Sequence, residues 1–251
     1  MSKIMTIVCG LVLLIACREQ NRGTDVAQEI VDQSIVVCGG ERYRISNISF
    51  VFRQRTYALE RQGNQKVLSR EHNTDTALIS DYLHIHGFKR FVNDSALVLP
   101  DSLANAYANA LNSVHYFAYL PNGLNDPAVN KDYLGETHID GSPYHKIRIT
   151  FDQEGGGVDH EDVFLYWFNA KTLKPDYLAY RFHVDGGGIR FRKAYNERYV
   201  NGIRFVDYMN YEPLDLDMPL EEMDTLFSDG GLKLLSKIEL REIRVSPGNY
   251  N

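Results

Sequence analysis

Three consecutive glycines, Gly186-Gly187-Gly188, separate Arg181 and His183 from Arg190 and Arg192. A glycine turn exposes backbone N–H groups, and alternate residues of a strand share a face. That combination suits an anion such as a phosphate or carboxylate, which arginine binds through paired donors. The spacing predicts Arg181 and His183 on one face of the first strand and Arg190 and Arg192 on one face of the second. The two pairs are expected to meet across the loop, with Tyr180, Phe182 and Phe191 opposite. No helix follows, so this is neither a P-loop nor a dinucleotide fingerprint. The plainer alternative is a hairpin whose arginines pair with Asp or Glu on neighbouring strands.

Other polar groupings are weaker. His84-Ile85-His86 sets two imidazoles on one strand face, about 6.5–7 Å apart. A metal there would need a third ligand such as Asp81 or Glu71, and the alternative is the polar face of an edge strand. Asp159-His160-Glu161-Asp162, after Gly155-Gly156-Gly157, offers carboxylates for calcium without EF-hand spacing; an acidic hairpin loop is the alternative. Asn105, Asn109 and Asn112 form a stripe on a helical segment, continued by Tyr116 with His115 nearby. Asparagine is a poor helix former, so the stripe points to hydrogen bonds with a sheet or a ligand. There is no Gly-x-Ser-x-Gly and no His-Glu-x-x-His. Cys38 falls at a helix C-terminus, where the dipole raises a thiol pKa, so packing is its expected role. No catalytic residue, metal or cofactor is assigned.

The start of the chain reads as an address. Lys3 is followed by an apolar run, Ile4 to Ala16, and then by Leu14-Ile15-Ala16-Cys17, which resembles a bacterial lipobox. Thirteen apolar residues fall short of the roughly 20 that span a bilayer. Cleavage before Cys17 and its lipidation are expected, giving a stable membrane anchor through two or more acyl chains. Residues 1–16 are thus a signal peptide, 17–23 a lipidated tether and 24–251 a single domain. The 251-residue chain carries a net charge of −6, which argues against nucleic acid as a partner. With Cys9 removed and Cys17 acylated, Cys38 has no disulfide partner.

The periodicity predicts an α+β protein. Apolar spacing places a helix at about 24–38, ended by Gly39-Gly40, and another at about 101–119 between Pro100 and Pro121. Between them, from Tyr43, a period of two marks strands at Ile48 to Arg53, Arg55 to Arg61, Lys66 to Glu71, Ala77 to His84 and Phe88 to Val92. Further strands are read at Tyr133 to Ile139, Tyr144 to Phe151, Val163 to Asn169, Asp176 to Val184, Ile189 to Tyr195 and Ile203 to Tyr211. A short helix near Pro219 to Phe227 and a last strand, Leu232 to Val245, follow. Val163 to Phe168 (VFLYWF) is apolar on both faces, so both must be covered: a helix on one, and a loop, partner or ligand on the other. No βαβ alternation appears, which excludes doubly wound sheets and (β/α)8 barrels. Aromatics are 12 % of residues, with 16 Tyr against one Trp, fitting half-buried sheet surface.

Helix, strand meander, central helix and more strands is an order that resembles the outer-membrane lipoprotein carrier and receptor proteins LolA and LolB. The resemblance implies a curved, mostly antiparallel half-barrel with amphipathic helices packed on it and an apolar cavity. The chain also resembles an uncharacterised family of bacterial lipoproteins, a domain of unknown function. Ser49 to Arg61 (SFVFRQRTYALER), Asn112 to Lys131 (NSVHYFAYLPNGLNDPAVNK), Asp162 to Phe168 (DVFLYWF), Asp176 to Asn196 (DYLAYRFHVDGGGIRFRKAYN) and Gly202 to Tyr211 (GIRFVDYMNY) carry that resemblance.

Together these features predict a lipid-anchored envelope protein that binds a lipid or other amphiphile in an aromatic-lined cavity. Phe164, Trp167, Asn112, His115, Arg181, His183, Arg190 and Arg192 are the expected ligand-binding residues. The alternatives are an envelope enzyme acting on an anionic small molecule or glycan through the Arg181/His183/Arg190/Arg192 hairpin, and an interaction subunit. Arg18 after Cys17 points, by similarity with known lipoprotein sorting, to the outer membrane, and Glu19 as the one acidic residue near Cys17 points to its periplasmic face.

Overall fold

Short two-residue turns organise the chain into hairpins. Arg53-Gln54, Asn93-Asp94, Asp140-Gly141 and Asn201-Gly202 all have positive φ at both positions, the geometry whose twist matches paired strands. The computed structural model describes residues 25–62, 65–154, 161–183 and 186–248. Residues 1–24, where the signal peptide and the tether with Cys17 are expected, and residues 155–160, most of the acidic loop, lie outside them.

Helix α1 (25–38) ends as expected. Gly39 N–H donates to the Val36 carbonyl at 3.4 Å and Gly40 N–H to that of Ile35 at 2.8 Å, the bond pattern of a Schellman cap. Gly40 has φ +55°, a region costly for residues with a Cβ. The chain then makes a helical turn, α2 (Arg42–Ile45), where strand period had been expected from Tyr43.

Seven strands follow the order β14-β1-β2-β3-β4-β5-β6, and seven more the order β13-β12-β11-β10-β9-β8-β7. The first sheet comprises β1 (Ser46–Phe52), β2 (Arg55–Gln62), β3 (Gln65–Asn73), β4 (Leu78–His84), β5 (Gly87–Val92), β6 (Ser95–Leu97) and β14 (Arg241–Pro247). The second comprises β7 (Val129–Ile139), β8 (Ser142–Phe151), β9 (Val163–Asn169), β10 (Pro175–Phe182), β11 (Gly188–Val200), β12 (Ile203–Pro213) and β13 (Leu232–Ile238). Every pairing is antiparallel. The result is a curved α+β half-barrel, not closed into a barrel.

Helix α3 (Asp101–Ala118) joins the halves and α4 (Met223–Ser228) covers the second sheet. One core unites both sheets with the two long helices: Ala27 and Val31 from α1, Leu111 and Ala118 from α3, Phe50 and Leu59 from the first sheet, Tyr166 and Phe205 from the second. A second core lies on the opposite face of the second sheet, where Leu165, Trp167, Ile189 and Phe191 meet Leu220 and Met223. These two cores explain why β9 is apolar on both faces.

The expected last strand, Leu232 to Val245, is two strands in different sheets. Ile238 pairs with Tyr208, but Val245 pairs with Ile48. The switch is pinned by Asp207, which accepts the Leu240 N–H at 2.9 Å and the Arg198 guanidinium at 2.8 Å.

Candidate functional site

A cavity of about 580 Å³ opens between α3, the first three strands, and β9 to β11. That is within the roughly 300–1,000 Å³ of ligand pockets. The first sheet contributes Phe52, Leu59 and Leu68, α3 contributes Val114, Tyr116 and Phe117, and the second sheet contributes Phe164, Leu178, Tyr180 and Phe182. These residues face inward because strand positions two apart share a face and α3 presents a helical stripe. The aromatic wall is organised: Phe164 stacks on Tyr180 at 5.2 Å and meets Phe151 edge-on at 5.8 Å, geometries that ring quadrupoles favour.

The lining is also basic. Arg53, Arg61, Lys66, Arg190 and Arg192 border the cavity, against Asp126 and Asp162. The chain as a whole is acidic, so this concentration of positive charge is local. Arg192 stacks over Tyr180 at 5.0 Å and Phe117 at 5.4 Å and donates to the Tyr180 hydroxyl at 2.8 Å.

Of the residues expected from sequence, Phe164, Asn112, His115, Arg190 and Arg192 border this cavity. Trp167 and Arg181 do not: the strand register turns them to the other face. Tyr180 is opposite Arg190 and Leu178 opposite Arg192, whereas Arg181 is opposite Ile189. Arg181 therefore cannot meet Arg190 and Arg192; it donates to the carbonyls of Leu216 at 3.1 Å and Met218 at 2.8 Å. Tyr180 and Phe182 share the face of Arg190 and Arg192 rather than opposing it. Trp167 is fully buried in the second core, its indole N–H donating to Asp224 at 3.1 Å. His183 is exposed and lies 3.3 Å from Asp162.

His115 is a buried cross-link. Its ring nitrogens lie 3.0 Å from the Tyr119 hydroxyl and 3.2 Å from the Ser69 carbonyl. Burial pushes its pKa down to about 4, against the opposing pull of the Ser69 carbonyl, so the ring is neutral. Asn112 is exposed and Asn109 half-exposed at the cavity edge, while Asn105 is exposed. Of the two readings, hydrogen bonds to the sheet or to a ligand, the exposure of these amides does not support the first. At the paired histidines, the His86 N–H donates to His84 Nδ1 at 3.0 Å. The proposed third ligands are engaged elsewhere: Asp81 by Arg70 and Arg90, and Glu71 by Ser80 and Tyr82. Among the described residues no group of three or more His, Cys, Asp or Glu is placed to hold a metal. Cys38 is fully buried, and burial pushes its thiol pKa up.

Sequence reasoning missed Arg53, Arg61, Lys66 and Phe117, and placed Tyr180 on the face opposite the arginines. Alternation gives the inward phase of Phe52 and Leu59, but nothing local places them against α3. Arg61 and Lys66 are directly paired across the β2–β3 hairpin, a juxtaposition the short turn between them could have suggested.

The chain belongs to DUF6503, a family of unknown function, whose model matches residues 5–240. The comparison with curated proteins finds no match. Among solved structures it is similar to a DUF1329 family protein from Desulfovibrio piger, with 9 % identity and a TM-score of 0.42, covering 87 % of this chain and 92 % of that one. It is also similar to a domain described as an outer membrane lipoprotein-sorting protein from Vibrio parahaemolyticus. That match has 9 % identity and a TM-score of 0.42, covering 91 % of this chain and 94 % of that one.

Proposed function

We propose that this protein is a cell-envelope lipoprotein that holds a lipid or other amphiphile in the cavity between α3 and the two sheets. The observation that carries this reading is the cavity itself: about 580 Å³, walled by stacked aromatic rings and bordered by arginines. Large apolar rings facing an open space gain from an apolar occupant, because burying apolar surface contributes about 25 cal/mol per Å². The lipobox-like sequence ending at Cys17 supports anchoring to a membrane through acyl chains, with Arg18 favouring the outer membrane and the lone acidic Glu19 its periplasmic face. A catalytic reading has less support, because Arg181 and the Arg190/Arg192 pair point to opposite faces.

The experiment is native purification of a soluble version starting at Arg18, followed by solvent extraction and mass spectrometry. A stoichiometric lipid, absent from a Phe164→Asp variant that still folds, is the expected outcome. A protein that is empty and also takes up no added acyl chains would remove the lipid reading. The anchor is tested separately: Cys17→Ser should move the full chain from the membrane fraction to the soluble fraction, and continued membrane retention would contradict it.

A further inference from the structure

We propose that the cavity selects an amphiphile with an anionic head, a carboxylate or phosphate, and that Arg192 is the residue that binds it. This rests on the cavity reading above and adds the chemical class of the ligand. Most other half-buried or buried arginines are paired with a carboxylate, while Arg181 and Arg61 donate to backbone carbonyls. Arg70 and Arg90 straddle Asp81, Arg198 holds Asp207, and Arg204 reaches Glu197 and Asp176. Arg190, two residues before Arg192 on the same strand face, has Glu212 at 3.8 Å. Among the described residues Arg192 has no such carboxylate. Its Nη2 donates to the Tyr180 hydroxyl, while its Nε is buried with no hydrogen-bond partner.

A guanidinium is always charged and carries five donors. A half-buried cation whose Nε is buried and idle is unfavourable unless an acceptor completes it. Arg192 is held in place by the Tyr180 and Phe117 rings, so its orientation is fixed before any ligand arrives. The same rings are part of the apolar wall. An anionic head on Arg192 would therefore leave its chain against Phe117, Phe164 and Tyr180, which is the arrangement a single amphiphile needs. Burying the charge between aromatic faces also strengthens whatever hydrogen bonds it makes.

The test is calorimetric titration of the soluble chain from Arg18 with dodecanoate, dodecanol, dodecyl phosphate and inorganic phosphate. Dodecanoate or dodecyl phosphate should bind at least about tenfold more tightly than dodecanol, the factor that one charge-assisted hydrogen bond supplies. Arg192→Met should abolish that preference, and Arg192→Lys should restore part of it. Which anion binds better identifies the head group. Equal binding of acid and alcohol by the unaltered chain would overturn the assignment while leaving the cavity reading intact, and needs no variant to fold. A preference that survives in a folded Arg192→Met protein would also overturn it. Failure of all three chain-bearing ligands would sink the cavity reading itself. Inorganic phosphate binding as tightly as dodecyl phosphate would show a simple anion site and overturn the amphiphile.

Discussion

Two buried residues set testable limits on stability. Asp81 is fully buried between Arg70 at 2.5 Å and Arg90 at 2.6 Å. Burial alone would raise its pKa, but hydrogen bonds from both guanidiniums outweigh that and hold the carboxyl below its usual range. Asp81→Ala strands two arginines, Arg90 packed on Tyr107 at 3.6 Å and Arg70 inside the sheet. It should cost about 3–5 kcal/mol in urea unfolding, the range for breaking a buried pair; a loss below about 1 kcal/mol would refute that role. His115 gives a pH signature. Its folded pKa of about 4 lies below the ordinary 6.5, so the unfolded chain binds the proton first. Its contribution is complete above about pH 6.5 and is lost as pH falls toward 4. Between about pH 7 and pH 5 this amounts to roughly 2 kcal/mol. His115→Gln should flatten that part of the stability profile, and an unchanged slope would contradict a neutral buried ring.

At the scale of elements, α1 depends on how it stops. Gly40→Ala places a Cβ at φ +55°, where the nearest non-neighbour atom is an ordinary 3.6 Å away. The cost is therefore conformational, roughly 1–2 kcal/mol, and a thermal shift near zero would show that the cap relaxes freely. The helix, the second helix and most strands were legible because each is a local period. Val163 to Asn169 matches the observed β9 at both ends. What failed was non-local. Ile238-Glu239-Leu240-Arg241 alternates like one strand, and Asp207 and Arg198, remote in the chain, take up the Leu240 N–H and carbonyl between β13 and β14. Likewise, the side-chain phases within β10 and within β11 were readable, but their relative register was not. Phe182 pairs with Gly188; a one-residue slip would have turned Arg181 toward Arg190.

For the whole molecule, curvature turns two sheets and α3 into a container whose walls come from distant segments. The site residues legible in advance were those with unusual type and spacing: Arg190 and Arg192 near three glycines, and Phe164 in a two-faced apolar strand. Trp167 had the same warrant as Phe164 but packs the second core, because parity along β9 separates neighbours onto opposite faces. Phe117 read as an ordinary apolar helix position until both sheets were in place. The central claim is that an amphiphile occupies this container. Photoaffinity labelling with a diazirine-bearing fatty acid, followed by peptide mass mapping, tests it most directly. Label on peptides containing Phe117, Phe164 and Tyr180, competed by unlabelled fatty acid, is the predicted result. Label confined to exposed apolar positions such as Val98, Leu214 or Leu216, or not competed at all, would contradict it.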